Sequence, residues 1–379
     1  MDRKISSTKP HLEDTDEILS DVRNVLKTGR LILGPYTKRF EKEFAEYIGV
    51  KHAVAVDSCT TALTICLRHL GAKGNEVIVP TNTFIASPNS VMFAGGIPKL
   101  VDMSPDSLCI DAGEIQKNIT GKTKGVMAVH IAGLPCPQIN EIRDMCSDKK
   151  LFLIEDCAHA PGATIDKKKV GSFSDAGCFS FYPTKVMTTQ TGGMITTNDD
   201  SLAEYARMLR HHGARKGLTD ISELGGDWVM SEISAVLGIH QLKNLDRHIR
   251  KRNTIAETYS KQISSMSGIK TFPVPGNTRH SYYKYPTLLS KSIDSARVTK
   301  NLLEKRGIET GGVYYPPCHL QPLYRDMFGF SEGMFPVADD ILKRILCLPI
   351  HVGLSDDDVS YVIRCLKEEL DDNSNHTSG

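Results

Sequence analysis

The sequence predicts an α/β protein, with a large domain built on a mostly parallel sheet between helices and a smaller C-terminal α/β domain. Three observations lead there. Between residues 52 and 155, short and nearly continuous apolar runs alternate with stretches of helical spacing, the pattern of parallel strands buried on both faces. One long helical pattern over residues 231–263 then breaks the alternation. Beyond it lie a strand-like run, a helix, a loop and a closing helix, enough for a second layered unit. The expected division is 1–245 for the large domain with its N-terminal helical segment, 246–372 for the smaller one, and 373–379 for a polar, disordered tail.

The elements follow in order. Residues 13–28 carry Ile18, Val22, Val25 and Leu26 at helical spacing and end at Gly29. Gly34-Pro35 marks a turn, and Phe40, Phe44 and Tyr47 predict a second helix closed by Gly49. Three strand–helix cycles come next. They pair strand 52–57 with helix 61–70, strand 76–80 with helix 86–94, and strand 98–102 with a less regular segment to about residue 120. Strands 125–130 and 151–155 flank a helix around 138–146. Lys167-Lys168-Lys169 reads as a solvated hairpin turn between Ile165 and Val170. In the 231–263 helix, Ile233, Val236, Leu237, Leu242, Leu245 and Ile249 share a face. The last third predicts a strand over 283–288, a helix over 296–306, a loop over 314–321 and a helix over 356–370.

Composition excludes several function classes. Lys and Arg number 46 against 45 Asp and Glu, a net charge of +1 that gives no electrostatic basis for nucleic acid or an anionic membrane as partner. No apolar run approaches the roughly 20 residues of a membrane span, and the N-terminus is charged from residue 2, so no signal peptide is expected. The ten cysteines are scattered, with no C-x-x-C pair and no metal-ligand spacing with histidine. Several, such as Cys66, Cys157 and Cys178, lie inside apolar runs. They predict reduced core thiols, no metal and a cytoplasmic protein.

The stretch Cys178-Phe179-Ser180-Phe181-Tyr182-Pro183-Thr184-Lys185, followed by Gly192-Gly193, runs from an apolar strand into a proline-marked turn that presents one lysine. Ile154-Glu155-Asp156-Cys157-Ala158-His159 and Asp57-Ser58-Cys59-Thr60-Thr61 have the same form, an apolar run ending in polar residues. Ligands of parallel α/β sheets lie beyond the carboxyl ends of the strands, so these three segments are expected in one neighbourhood.

These residues carry a resemblance. Ser180-Phe181-Tyr182-Pro183-Thr184-Lys185, Glu155-Asp156-Cys157-Ala158-His159 and Glu76-Val77-Ile78-Val79-Pro80 resemble the pyridoxal-phosphate sugar aminotransferases of the DegT/DnrJ/EryC1/StrS family. Met230-Ser231-Glu232 through Gln241-Leu242, Tyr315-Pro316 with His319-Leu320-Gln321, and Leu348-Pro349 agree, in the family's order over nearly the whole chain. The resemblance implies a fold type I aminotransferase working as a homodimer with shared active sites. It further implies pyridoxal 5'-phosphate as cofactor, a nucleotide-linked keto-sugar (a 4-keto-6-deoxy sugar by preference) as substrate, and L-glutamate as amino donor.

Carried over residue by residue, Lys185 forms the Schiff base and moves the proton, a task that needs its free amine near neutral pH. Asp156 faces the pyridine nitrogen and keeps the ring protonated. His159 lies close to the ring and its hydroxyl, and Phe84 stacks on the ring face. Cys59, Thr60 and Thr61, where a helix begins, and Ser180 with its hydroxyl bind the phosphate. Asp227 stands where the family has an asparagine that reaches a phosphate across the dimer. Tyr315, His319 and Lys284 are candidates for the sugar or diphosphate side. From spacing alone, Phe84 would be core, Asp156 a turn or cap residue, and Thr60 and Thr61 simple caps.

The chain departs from the pattern in four places. Cys59 replaces a glycine, Asp227 an asparagine, Val229 an arginine, and Gln190-Thr191 a frequent Gly-Glu. Two other readings therefore stand beside the transaminase: a pyridoxamine-dependent sugar dehydratase and a non-catalytic regulatory or binding protein on the same fold. Lys185 argues against the dehydratase, whose lysine is typically replaced by histidine.

Overall fold

The computed structural model describes residues 3–215 and 217–376. Its helices are α1 (Thr15–Thr28), α2 (Pro35–Ile48), α3 (Cys59–His69), α4 (Ala86–Phe93), α5 (Ala112–Asn118) and α6 (Ile139–Asp148), then α7 (Asp200–Leu209), α8 (Glu232–Ile263), α9 (Ser295–Arg306), α10 (Pro322–Phe328), α11 (Pro336–Ile341) and α12 (Asp356–His376). The strands are β1 (His52–Val56), β2 (Glu76–Pro80), β3 (Ile97–Val101), β4 (Thr123–Val129), β5 (Phe152–Asp156), β6 (Thr164–Ile165) and β7 (Lys168–Lys169). After them come β8 (Ala176–Ser180), β9 (Gly193–Thr197), β10 (Ile269–Thr271), β11 (Thr278–Arg279), β12 (Tyr285–Leu289) and β13 (Ile345–Leu348).

Seven of these strands form one sheet in the order β1-β9-β8-β5-β4-β2-β3. Six run in the same direction; β9 is antiparallel to both its neighbours, β1 and β8. The central strands β5, β8 and β9 are buried along their whole length, covered on both faces. Side-chain oxygens of Ser58, Asp111, Asp199, Ser231 and Asp294 accept backbone N–H groups at the starts of α3, α5, α7, α8 and α9. The lysine run forms the β6–β7 hairpin with its turn at Asp166-Lys167; Lys167 and Lys168 are exposed and Lys169 is half-buried. Lys168 lies 4.5 Å from the ring centre of Phe173, and Lys169 lies 4.4 Å from that of Tyr47.

A second sheet, β10-β12-β13, is antiparallel throughout. Helix α8 serves both units. Its Ala235, Ile239, Leu242, Leu245 and Ile249 pack with Phe40, Phe44, Phe179 and Phe181 beside the large sheet. From Ile255 to Ile263 it packs with Tyr285, Leu302, Leu346 and Val362 around the small one. The expected division at 245/246 thus falls within this helix, about one turn before its partners change. Two segments cross the division: Ile5 joins the C-terminal core, and Val313, Cys318, Tyr324, Phe335 and Ala338 pack back on the core of the large sheet. Helix α12 continues to His376, beyond the expected end at residue 370 and into the stretch expected to be disordered. Residues 377–379 lie outside the described residues. Among the described residues no helix is long and apolar enough to cross a membrane.

Candidate active site

The carboxyl ends of β1, β5 and β8 and the start of the reversed β9 meet at one edge of the sheet, where they bound a cavity of about 290 Å³. Lys185, Asp156, His159, Ser180, Cys59, Thr60 and Phe84 all line it. Three segments distant in sequence therefore converge, as the strand-end rule predicts.

Lys185 is held by the turn after β8, where its backbone N–H bonds to the Tyr182 carbonyl at 2.9 Å. Its side chain is half-buried, and its Nζ lies 4.4 Å from the ring centre of Tyr283. Burial lowers its ammonium from 10.5 to about 8, although Asp156 and Cys59 act in the opposite sense. The amine is thus far easier to deprotonate than that of a surface lysine. Asp156, at the last position of β5, is buried and fixed at both oxygens. The Ser87 hydroxyl donates to Oδ2 at 2.7 Å, and the Ala158 N–H donates to Oδ1 at 3.0 Å.

His159 is buried with both ring nitrogens engaged. The backbone N–H of Ala132 donates to Nδ1 at 3.1 Å, and Nε2 lies 2.7 Å from the Tyr314 hydroxyl. Burial, reinforced by Lys185 and Lys284, pushes the imidazole well below its ordinary pKa and keeps it neutral. Its ring packs on Tyr283 at 4.4 Å between centroids and lies parallel to Tyr314 at 5.7 Å. His159 lines the cavity, and what it offers there is a ring face and no free nitrogen.

At the other end of the cavity, α3 begins at Cys59. Cys59 and Thr60 stand in its first turn, where helix geometry leaves N–H groups without an acceptor inside the helix. Thr61 does not line the cavity; its N–H is taken by the Ser58 hydroxyl at 3.2 Å, so it serves the cap. Burial, then Asp156, push the Cys59 thiol well above its ordinary pKa, with Lys185 pulling the other way. The group is neutral, and the side chain that replaces the family's glycine adds no negative charge at this end. Gly193 is required opposite: a Cβ there would stand 2.4 Å from the backbone carbon of Ser58.

The structure relocates three expected site residues. His319 is fully buried outside the cavity, with Nδ1 2.8 Å from the Thr81 hydroxyl and Nε2 2.9 Å from Asp339. It ties the 313–342 segment to the large unit and is not exposed to a sugar. Lys284 donates to the Gly312 carbonyl and sits against the Tyr314 ring without lining the cavity. Asp227 is exposed and bridges by its backbone to His211, so within one chain it brings no charge into the cavity. Tyr315 is exposed and stands one residue from the tyrosine that does line the cavity, Tyr314.

Sequence reasoning missed Tyr314, Tyr283, Thr83, Ser87 and Thr184. The signal for Thr83 and Ser87 was available, since they follow the end of β2 as Ser58 follows β1. Tyr283 and Tyr314 arrive from the C-terminal part, and no local pattern marks them.

Comparison with known proteins agrees with this geometry. The model of the DegT/DnrJ/EryC1/StrS aminotransferase family matches residues 12–367. GDP-perosamine synthase of Caulobacter vibrioides is 36% identical over 97% of this chain and 98% of its own. The structure of aminotransferase TlmJ from Streptoalloteichus hindustanus superposes with a TM-score of 0.90 at 32% identity, covering 98% of this chain and 100% of that one. NtdA of Bacillus subtilis, solved with the cofactor PMP bound, superposes with a TM-score of 0.87 at 28% identity over 94% of this chain and 82% of its own.

Proposed function

The chain belongs to the DegT/DnrJ/EryC1/StrS aminotransferase family, and on that premise we propose that it moves an amino group from L-glutamate to a nucleotide-linked keto-sugar, by preference a 4-keto-6-deoxy sugar. It is a pyridoxal-phosphate-dependent sugar aminotransferase. The observation that carries the proposal is the Lys185 amine, set in the cavity with a depressed pKa and in the field of an immobilised Asp156.

Pyridoxal 5'-phosphate, when bound, supplies the carbonyl carbon that exchanges the amino group and a ring that accepts electrons. The donor set suits it. Asp156, held by Ser87 and Ala158, would face the ring nitrogen. Cys59 and Thr60 at the start of α3, with the Ser180 hydroxyl, would hold the phosphate, and Phe84 would cover the ring. Lys185 Nζ would anchor the cofactor and then carry the proton, for which its free amine is needed at neutral pH. Tyr283 and Tyr314 restrict water on the remaining side. A homodimer that brings a partner's residues to the open side, and a cytoplasmic location for a chain whose ten cysteines are unpaired and buried, complete the reading.

The test is direct. Protein loaded with the cofactor develops a visible absorption band, L-glutamate bleaches it, and Lys185→Ala abolishes both band and turnover. The reverse half-reaction, run on a panel of nucleotide-linked amino sugars, then identifies the substrate. Protein that stays colourless with added cofactor would sink the proposal. Loss of a sugar hydroxyl without amino transfer would replace it by the dehydratase reading.

A further inference from the structure

We propose that Tyr314 is the hydrogen-bond donor of the cavity toward a ring oxygen of its occupant, and that His159 is a positioning residue acting through it. The inference rests on the reading that the occupant is pyridoxal phosphate. It begins with the polarity of two contacts. A backbone N–H can only donate, so the Ala132 N–H fixes His159 Nδ1 as an acceptor. The imidazole is neutral, so its single proton is on Nε2. Nε2–H therefore donates to Tyr314 Oη at 2.7 Å, and the phenol's own proton must leave in another direction.

The surroundings leave one place for that proton. Lys284, whose Nζ lies 5.1 Å from the Tyr314 ring centre, offers only donors and gives its hydrogen bond to the Gly312 carbonyl. The Tyr283 hydroxyl pairs with the Thr184 hydroxyl at 3.2 Å. Among the described residues His159 is the one hydrogen-bond partner of Tyr314 Oη. The remaining groups that face the phenol are Asp156 and the thiols of Cys318 and Cys347; burial first, then Tyr283 and these groups, keep it protonated far above its ordinary range. Tyr314 lines the cavity with its ring centre 5.6 Å from that of Phe84. Asp156 acts on the phenol, and a ring oxygen of the occupant is the acceptor assigned to it. Its backbone φ of 54° lies in the left-handed region, a costly conformation for a bulky residue, which the fold accepts in order to aim this ring.

The test uses the cofactor-loaded enzyme without substrate and reads the pH midpoint of its visible band. A donor to the ring oxygen stabilises the more negative, high-pH form. Tyr314→Phe, which removes one oxygen atom and keeps the ring, should therefore raise the midpoint by about one pH unit, a tenfold change. His159→Phe should move it in the same direction by less, because the phenol remains but its orientation is no longer locked. The double variant should match Tyr314→Phe alone. A merely structural Tyr314 would lower the melting temperature and leave the midpoint where it was, and that result overturns the proposal. Additive shifts in the double variant would overturn the role of His159. If Tyr314→Phe does not retain the cofactor, an unmoved midpoint in His159→Phe is the refuting result. Wild-type protein that forms no band defeats the functional reading itself, whereas a wild-type band with an unmoved Tyr314→Phe midpoint defeats only this inference.

Discussion

Replacing Lys185 by methionine should stabilise the cofactor-free protein at neutral pH. In the folded chain burial holds the lysine at about 8, against 10.5 for an ordinary lysine. The sign follows from proton counting. Between these two values the unfolded chain binds more protons than the folded one, so stability rises with pH through that window. Below about pH 8 the full penalty of keeping an ammonium in the cavity is present. A drop of that size corresponds to about 3 kcal/mol as an upper bound. The side chain is only half-buried and faces the cavity, and solvent screening reduces the figure to about 1–3 kcal/mol. The assay is urea unfolding of cofactor-free wild type and Lys185→Met at equal protein concentration, at pH 7 and again at about pH 10.5. The variant should be the more stable at pH 7, and the gap should narrow at the higher pH to what methionine packing contributes alone. A gap that is absent at pH 7, or unchanged between the two conditions, would refute the reasoning. The same depression serves the chemistry: about one amine in ten is free at pH 7, against about one in three thousand for a lysine at its ordinary value.

Two further predictions concern the frame around the site. Glu232 is fully buried at the start of α8 and accepts the N–H groups of Gly34, Tyr36 and Thr37 at 2.8–2.9 Å as well as the Thr37 hydroxyl. Glu232→Gln turns an amide toward those donors and should cost about 3 kcal/mol in urea unfolding; a loss under about 1 kcal/mol would show the carboxylate to be dispensable. Gly193→Ala drives a methyl to within 2.6 Å of Ser58 and Cys59 backbone atoms and should cost about 1–3 kcal/mol while lowering cofactor retention. Gly276→Ala, where an added Cβ meets nothing within 4 Å, is the control that should change neither.

The strands were legible where their signal is local. Runs such as Val77–Val79 and Leu153–Ile154 are apolar because both faces of β2 and β5 are covered, and burial leaves its mark on each residue. The reversed strand β9 was not foreseen, nor was its insertion between β1 and β8. Strand order depends on which chain segments meet, and neither Met194 nor Ile195 carries that information in its neighbours. The same holds for the fold-back of residues 313–342. Val313, Cys318 and Phe335 look like ordinary core residues of a C-terminal unit, yet they pack against the other core.

The candidate site divides along the same line. Side chains delivered by strand ends or helix starts were legible, because strand, turn and polar residue stand together in sequence: Asp156 at the end of β5, Ser180 at the end of β8, Cys59 at the start of α3. Side chains delivered by fold-back were not. His159 and Tyr314 are 155 positions apart, and Thr184 and Tyr283 are 99 apart, so no window contains both members of either pair. A one-residue step decides the C-terminal wall: Tyr314 points into the cavity and its neighbour Tyr315 to the surface, a choice set by backbone torsion and invisible to residue type. His319 shows the converse, a polar residue in a motif whose polarity is spent on joining two units. The floor of the cavity, with Lys185 and Asp156, and the wall of Tyr283 and Tyr314 therefore come from separate parts of the chain. Changes at 314–315 can reshape the wall without touching the Ser87 and Ala158 contacts of Asp156, whereas a change at Tyr283 also reaches Lys185, whose Nζ lies 4.4 Å from its ring centre.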